Sequence, residues 1–176
     1  MAPATASAAW FTLLVGLVAV ERAAELAVAR RNLAWARGLG AVEHGRGHYP
    51  AIVAVQTALL GGALLEVWLL GRPFVPALGW PMLAVAALAQ GLRWWCIGTL
   101  GRRWNTRVVI VPGLPLVARG PYRVMPHPNY AAVVAEGIAL PLVHTAWLTA
   151  TLFTVVNLGV LRTRIRVENA ALGIAD

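Results

Sequence analysis

The sequence predicts an all-α integral membrane protein with about five transmembrane helices, and three observations support this class. First, 59% of the 176 residues are hydrophobic and only 12% are charged, whereas a soluble domain is nearer half apolar and a quarter charged. Second, apolar segments recur along the chain at lengths suited to a bilayer core of about 30 Å. Third, the charged residues gather in the loops between those segments. We expect one membrane-embedded domain over residues 1–176.

The first predicted span covers residues 8–29. No positive charge precedes its apolar run, so we interpret it as a span and not as a cleaved signal peptide. Its second half carries Glu21, Arg22 and Glu25, and Arg22 and Glu25 have the spacing of an intrahelical ion pair. Two interpretations remain open for this end of the helix: it reaches the lipid headgroups, or it lines a pocket.

The second and third predicted spans cover residues 50–70 and 78–100, and each is long enough to cross the bilayer. Trp94 and Trp95, near the end of the third, are typical of a membrane interface. Arg93 beside them either extends its charge to the interface or lines a site.

A long polar loop at residues 101–127 precedes the last apolar pair. Within it, the β-branched run VVIV and the turn at Pro112 and Gly113 predict a small hairpin with the following LPLVAR, or an extended flap. Residues 130–143 and 146–161 would reach only about 20–24 Å as helices. We therefore predict that they form a short helical hairpin with His144 and Thr145 at its tip.

The arginines are distributed asymmetrically across the predicted spans. The formal net charge of +8 comes from arginine alone, since the chain has no lysine. With five spans, one face carries Arg30, Arg31, Arg37, Arg46, Arg102, Arg103, Arg107, Arg119, Arg123, Arg162, Arg164 and Arg166. The opposite face carries Arg72 alone. The positive-inside rule then predicts a multi-pass protein of the inner (plasma) membrane, with the N-terminus outside and the C-terminus cytoplasmic. Because orientation explains the charge, we expect the bilayer, and not nucleic acid, as the partner.

Several kinds of site are excluded by the sequence. One cysteine, Cys96, cannot form an internal disulfide or a multi-cysteine metal site. The four histidines do not give three or four convergent ligands, so we expect no metal. No serine or cysteine lies in a nucleophile motif, and no phosphate-binding glycine motif is present.

The segment RGPYRVMPHPNY, residues 119–130, is the most distinctive polar stretch. Pro128 can begin a helix because the first helical position needs no backbone N–H donor. The loop would thus bring Tyr122, Arg123 and His127 to a helix N-terminus, where free N–H groups favour an anion. The alternative is an ordinary basic loop between two membrane helices.

The arginine-bearing segments are predicted to meet on the cytoplasmic face. Arg164 and Glu168 are four residues apart on a predicted helix and would point the same way. As an exposed pair they would contribute only about 0.3–0.5 kcal/mol, and this alternative stays open. The polar residues expected to converge there are Glu43, His48, Arg123, His127, Arg164 and Glu168.

GPYRVMPHPNY, an apolar hairpin with Asn157 and then RIRVENAAL resemble the isoprenylcysteine carboxyl methyltransferase family and the related phospholipid methyltransferases. The resemblance covers roughly residues 93–172. The upstream GRGHYP loop and the chain length are similar to a short bacterial branch. Some members of that branch accompany type III polyketide synthases and O-methylate long-chain phenols or pyrones.

The resemblance implies a membrane enzyme that uses S-adenosylmethionine (SAM), held by the loop and by the acidic tail. The expected cofactor-binding residues are Tyr122, His127, Pro128, Asn129, Tyr130, Glu168 and Asn169. This sequence departs from the family at Pro126, where an arginine is usual, and at Asn169, where a second glutamate is usual. Asparagine can still hydrogen-bond an amine or a ribose, but it adds no charge.

We expect O-methylation of a lipophilic acceptor, most simply the hydroxyl of a phenolic or pyrone lipid. A phenol has a pKa near 10 and needs help to lose its proton, for which Glu43, His48 and Glu136 are the candidates. The expected catalytic residues are Arg123, Glu136, Arg164 and Glu168. The expected acceptor-binding residues are Glu43, His48, Tyr49 and Arg93. Carboxyl methylation of an isoprenylcysteine-type acceptor and a non-catalytic membrane scaffold are the alternatives.

Overall fold

The computed structural model describes residues 3–173, and most of that segment is helical. The helices are α1 (Pro3–Gly38), α2 (Tyr49–Leu69), α3 (Pro76–Leu100), α4 (Pro128–Leu142) and α5 (Trp147–Leu172). Two short strands, β1 (Val42–His44) and β2 (Val108–Ile110), lie in the loops. The prediction of a mainly helical chain with five helices is confirmed, with this small sheet as an addition.

Two predicted helix boundaries are wrong. The first helix continues to Gly38, beyond the predicted end of the first span at residue 29. The last helix runs for 26 residues, past its predicted end at residue 161, so the hairpin is short only on the side of α4. Arginine and glutamate are good helix formers, so a change from apolar to charged residues does not end a helix. The left-handed Gly173 ends α5.

Of the two forms predicted for VVIV and LPLVAR, the hairpin is wrong, because β2 does not pair with the segment that follows it. Instead, β2 pairs antiparallel with β1, so that Glu43 lies opposite Val109. The segment after β2 contains Pro112 and Pro115, which have no N–H to donate to a ladder. It is held by a side chain, because Arg103 Nη1 donates to the Pro115 carbonyl at 2.6 Å. The sheet ties the loop after α1 to the loop after α3.

The turn between α4 and α5 packs at the end of the helices far from this sheet. The His144 ring is buried, with its centroid 5.2 Å from that of Phe11 and 6.1 Å from that of Phe74. Thr145 has a φ of 53° and donates from its hydroxyl to the Pro73 carbonyl at 2.7 Å. Glu66 accepts from the free backbone N–H groups at the start of α5. The predicted position of His144 and Thr145 at the hairpin tip is confirmed.

Helix α4 is the most enclosed helix and packs against both α3 and α5. A Cβ on Gly137 would lie 1.8 Å from Cε1 of Phe153 on α5. Glycine is therefore needed for this close approach. The approach fixes how the start of α4 faces the end of α5, where the polar residues of both helices meet.

Two helices in the described part of the chain are long and apolar enough to cross a membrane, at Arg46–Leu69 and Pro76–Arg103. Only 22% of the most apolar window of each is buried. Exposed large side chains include Trp68, Leu69, Leu88 and Trp95. Apolar surface of this extent is typical of contact with lipid. The number of spans and their orientation stay predictions.

Candidate active site

The start of α4 and the last turns of α5 meet around the Tyr130 hydroxyl. Arg164 Nε donates to this oxygen at 2.7 Å, and the hydroxyl donates to the Glu168 carboxylate. The Arg164 guanidinium lies 5.3 Å from the centroid of the Tyr130 ring. Arg164 and Glu168 therefore point to one side of α5, as their spacing predicts, and Tyr130 connects them.

His127 and Asn169 extend the same group of side chains. His127 Nε2 lies 2.8 Å from Asn169 Oδ1, and its Nδ1 lies 3.9 Å from the Glu168 carboxylate. The His127 ring stacks on Tyr130 with centroids 5.2 Å apart. Pro128 occupies the first turn of α4, which places His127 just before the helix and Tyr130 in it. We call His127, Tyr130, Arg164, Glu168 and Asn169 the tyrosine cluster.

Three neighbouring cavities open around the tyrosine cluster. The inner cavity, of about 370 Å³, lies between α1, α2, α4 and α5 and has mainly apolar walls. The polar chamber, of about 80 Å³, lies between β2 and the tyrosine cluster. The outer cavity, of about 470 Å³, lies against the segment 109–118 and the segment 122–126.

Shared wall residues show how the cavities adjoin. Asn129, Tyr130 and Arg164 line both the inner cavity and the polar chamber. Tyr122 and Glu168 line both the polar chamber and the outer cavity. The Tyr130–Glu168 contact therefore lies where the three cavities adjoin.

The other predicted loop residues lie beside the tyrosine cluster. Tyr122 interacts with the Cys96 thiol, and burial raises the pKa of Tyr122 above its ordinary value, so the phenol stays protonated. Arg123 is exposed and lines the outer cavity. Asn129 Oδ1 is buried with no hydrogen-bond partner among the described residues. Asn129 therefore retains an acceptor atom between two cavities.

Arg93 and Glu136 belong to a different group, a buried ion-pair network with Arg22 and Glu25. Arg93 Nη2 donates to Glu25 at 2.7 Å, and Arg22 Nη1 donates to the same carboxylate at 2.8 Å. Arg22 also binds Glu136 through its second terminal nitrogen. We call these four residues the ion-pair network. The predicted Arg22–Glu25 ion pair is confirmed.

Two predicted site residues, Arg93 and Glu136, belong to the ion-pair network, and only Arg93 lines a described cavity. Arg93 lines the inner cavity with Arg22 and Glu25. Glu136, predicted as a catalytic acid, does not line the described cavities and contacts Arg22 instead. Each carboxylate is matched by an arginine, which is the arrangement that a buried charge requires.

Glu43 lies apart from the tyrosine cluster, at the centre of a group of arginines. Its carboxylate lies 2.6 Å from Arg107, 3.3 Å from Arg46 and 3.7 Å from Arg37. Burial alone would raise the pKa of Glu43, but these cations lower it below its ordinary value. A carboxylate held in this way is a weak base, and it fixes β1 against β2.

His48, just before α2, and Tyr49, the first residue of α2, lie next to this group. His48 packs against the left-handed Gly45, and its pKa is lowered by burial and by the positive charge of Arg164. It does not line the three cavities described above. Tyr49 lines the inner cavity, and the Arg107 guanidinium lies 4.2 Å from its ring centroid. Of the four predicted acceptor-binding residues, Tyr49 and Arg93 lie at the inner cavity, whereas Glu43 and His48 do not.

Some residues that line the cavities were not predicted as site residues. Arg103 and Arg107 line the polar chamber from the loop before β2. No sequence spacing identifies them, because the pairing of β1 with β2 brings them there. Glu25 and Arg22 could be recognised from their spacing within an apolar helix, but their partners on α3 and α4 could not.

Comparisons with known proteins agree with the resemblance noted from the motifs. Residues 82–174 match the model of the isoprenylcysteine carboxyl methyltransferase (ICMT) family. A Bacillus subtilis (strain 168) protein, described as uncharacterized protein YpbQ, is 40% identical over 163 residues, covering 92% of this chain and 96% of the relative. No solved structure shows a significant match. Members of the matched family are membrane-associated methyltransferases. The chain belongs to the isoprenylcysteine carboxyl methyltransferase family.

Proposed function

We propose that this protein is a SAM-dependent membrane O-methyltransferase that acts on the hydroxyl of a long-chain phenolic or pyrone lipid. The observation that carries this proposal is the position of the Tyr130 hydroxyl. It lies between Arg164 and Glu168, where the apolar inner cavity adjoins the polar chamber. The family supplies the reaction class, and the site suggests how acceptor and cofactor are kept on opposite sides.

The residues of the polar chamber and outer cavity suit SAM. The outer cavity falls within the range of about 300–1,000 Å³ that is usual for ligand pockets. Glu168 would accept a hydrogen bond from a neutral ribose hydroxyl of the cofactor, and the amides of Asn129 and Asn169 would add neutral hydrogen bonds. His127 precedes the N-terminus of α4, where an anionic carboxylate is favoured. Arg123, in the same cavity, would replace the family arginine that is absent at Pro126. When bound, SAM supplies a methyl group on a positively charged sulfur.

The inner cavity suits the acceptor. Its walls include Ile52, Leu60 and Val133, which would contact an alkyl chain entering sideways from the bilayer. The chain's polar head would then reach Asn129, Tyr130 and Arg164. A type III polyketide synthase, which makes such phenols and pyrones, would be the functional partner.

An assay with labelled SAM tests the acceptor class. The purified protein in lipid should methylate an alkylresorcinol or alkylpyrone faster than a farnesylcysteine analogue. The rate should rise with pH toward the acceptor's own pKa, because ionisation makes the oxygen nucleophilic. The reverse preference, with a rate independent of acceptor ionisation, would contradict the hydroxyl assignment.

Carboxyl methylation of an isoprenylcysteine-type acceptor is the second candidate. One observation favours it: Arg22, Arg93 and Arg164 all line the inner cavity, and an arginine can orient a carboxylate in two-point fashion. Arg22 and Arg93 are already bound to Glu25, which leaves Arg164 for this role. A non-catalytic scaffold is distinguished from both enzymes by SAM binding, since a scaffold needs no cofactor.

We also propose that the chain crosses the plasma membrane five times, with the N-terminus outside and the tyrosine cluster facing the cytoplasm. The clustering of arginines in the loops after α1 and α3 and along α5 supports this orientation. Single cysteines introduced near Arg37 and Arg107 should be labelled from the cytoplasm, and one at position 3 from outside. Cys96 is buried, so background labelling should be low. Labelling of position 3 and the Arg107 loop from the same side would contradict five spans.

A further inference from the structure

We propose that Tyr130 is a catalytic proton relay, which carries the proton of the acceptor hydroxyl out of the inner cavity to Glu168. This inference rests on the proposed hydroxyl methylation and adds the route by which the acceptor becomes a nucleophile. It replaces the expectation that Glu43, His48 or Glu136 assists the ionisation.

The inner cavity holds no available base of its own. Among the described residues that line it, Glu25 is the sole carboxylate and there is no histidine. Glu25 accepts three hydrogen bonds, two from Arg93 and one from Arg22. A carboxylate held by two guanidinium groups in an apolar site is stabilised in its charged form and resists a proton.

The Tyr130 hydroxyl can pass a proton to a base outside the inner cavity, whereas the hydroxyl of Tyr49, the other tyrosine that lines this cavity, cannot. The hydroxyl of Tyr49 lies 3.3 Å from the Thr106 hydroxyl, which is no base. The hydroxyl of Tyr130 instead donates to the carboxylate of Glu168 and accepts from Arg164. Tyr130 is only 8% exposed, whereas the Glu168 side chain is 27% exposed and lines the outer cavity. The two residues therefore connect a buried oxygen to a carboxylate that can exchange protons with solvent.

The relay conserves atoms and charge. The acceptor O–H bond breaks as its proton binds the Tyr130 oxygen, and the original Tyr130 proton passes to Glu168. The acceptor oxygen then forms a bond to the methyl carbon while the carbon–sulfur bond of the sulfonium breaks, and that electron pair stays on sulfur. Glu168 finally releases its proton to solvent. Throughout, the Tyr130 hydroxyl and the Arg164 cation stabilise the negative acceptor oxygen.

Tyr130→Phe tests this relay with two acceptors of equal chain length. One is an alkylphenol with a pKa of about 10, and the other is an alkylnitrophenol that is already ionised at the assay pH. The variant should lose about a hundredfold more rate with the alkylphenol than with the nitrophenol, because only the alkylphenol needs its proton removed and both acceptors lose the stabilising contact. Tyr49→Phe removes a hydroxyl from the same cavity and should treat both acceptors alike.

Equal losses with both acceptors, at unchanged SAM affinity, would show that Tyr130 only positions the acceptor. Unchanged rates with both would remove Tyr130 from the proton path. Either result overturns the relay while leaving the methyltransferase assignment intact. A wild-type protein that binds no SAM and methylates neither acceptor would overturn the assignment, and the relay with it.

A second readout needs neither turnover nor the variant. The absorbance spectrum of a long-chain nitrophenol changes when the phenol ionises. Its protonation state can therefore be measured in a complex with the protein and S-adenosylhomocysteine, the product left when SAM has lost its methyl group, in which no turnover occurs. An apolar cavity alone would favour the neutral phenol. With the relay, the wild-type complex should contain more phenolate than free nitrophenol does at the same pH, and Tyr130→Phe should abolish the excess. A wild-type complex with no excess phenolate would overturn the proposal even if the variant does not fold.

Discussion

The ion-pair network and the tyrosine cluster both place charges among apolar helices, but they differ in whether a carboxylate remains available to bind a ligand. In the ion-pair network, the two carboxylates of Glu25 and Glu136 are held by the two guanidinium groups of Arg22 and Arg93. In the tyrosine cluster, Glu168 is partly exposed and faces two cavities. The closed group is suited to holding α1, α3 and α4 together, and the open group to binding ligands.

This difference distinguishes a structural role from a functional role for a buried charge in a membrane protein. An intramembrane acid is often functional, and Glu136 was expected to be catalytic for that reason. Its contact with Arg22 instead indicates a structural role. Exposure to a cavity and an unfilled hydrogen-bonding capacity, not burial alone, distinguish the functional carboxylate.

The largest expected effect comes from removing a charge from the ion-pair network. Glu25→Gln removes the charge that faces Arg93 and Arg22, and breaking a buried ion pair costs about 3–5 kcal/mol. We expect a large drop in the thermal midpoint of the detergent-solubilised protein. Glu21, one turn earlier on the same helix, makes no direct ion pair with the described residues, so Glu21→Gln should cost less than about 1 kcal/mol. Equal thermal midpoints for Glu25→Gln and wild type would show that the network contributes nothing to stability.

A smaller effect, on SAM affinity, is expected from removing one side chain of the tyrosine cluster. His127→Ala removes a ring that contacts Asn169 and stacks on Tyr130. We expect SAM affinity to fall about tenfold or more, which corresponds to about 1.4 kcal/mol, with the protein still folded. Equilibrium dialysis with labelled SAM measures this. An unchanged affinity would move the cofactor away from the start of α4.

The smallest effect concerns Glu43, whose charge is held by exposed or half-exposed arginines. Because its folded pKa lies below the ordinary value of 4.5, its stabilising contribution is present above that pH and is lost as the pH falls through the folded pKa. The thermal midpoint of wild type should therefore fall more steeply below pH 4.5 than that of Glu43→Gln. Parallel pH profiles would show that the Glu43 ion pairs do not stabilise the fold.

The sequence was sufficient for the number of helices and for the spacing of Arg164 and Glu168, because both follow from local periodicity, but not for the ends of α1 and α5. Pro128 predicted the start of α4, and the tip at His144 was also correct. Long-range pairing was not accessible in the same way. The match of β1 with β2 depends on two loops meeting, and it brings Arg107 onto Glu43. Likewise, nothing local to Glu136 indicates that Arg22 lies beside it.

The central claim is that the tyrosine cluster is needed for methyl transfer and that Arg164 and Glu168 are not merely a surface ion pair. The most direct test measures methyl transfer and thermal stability for Arg164→Ala and Glu168→Gln, with the exposed Arg166→Ala of the same helix as the matched control. A positioned charge in a site shielded from water contributes roughly 3 kcal/mol, or about a hundredfold in rate. We predict that both variants lose at least that factor while remaining folded, and that Arg166→Ala stays near wild type. If Arg164→Ala and Glu168→Gln both remain within a few-fold of wild-type turnover, the end of α5 serves only packing and the account is contradicted.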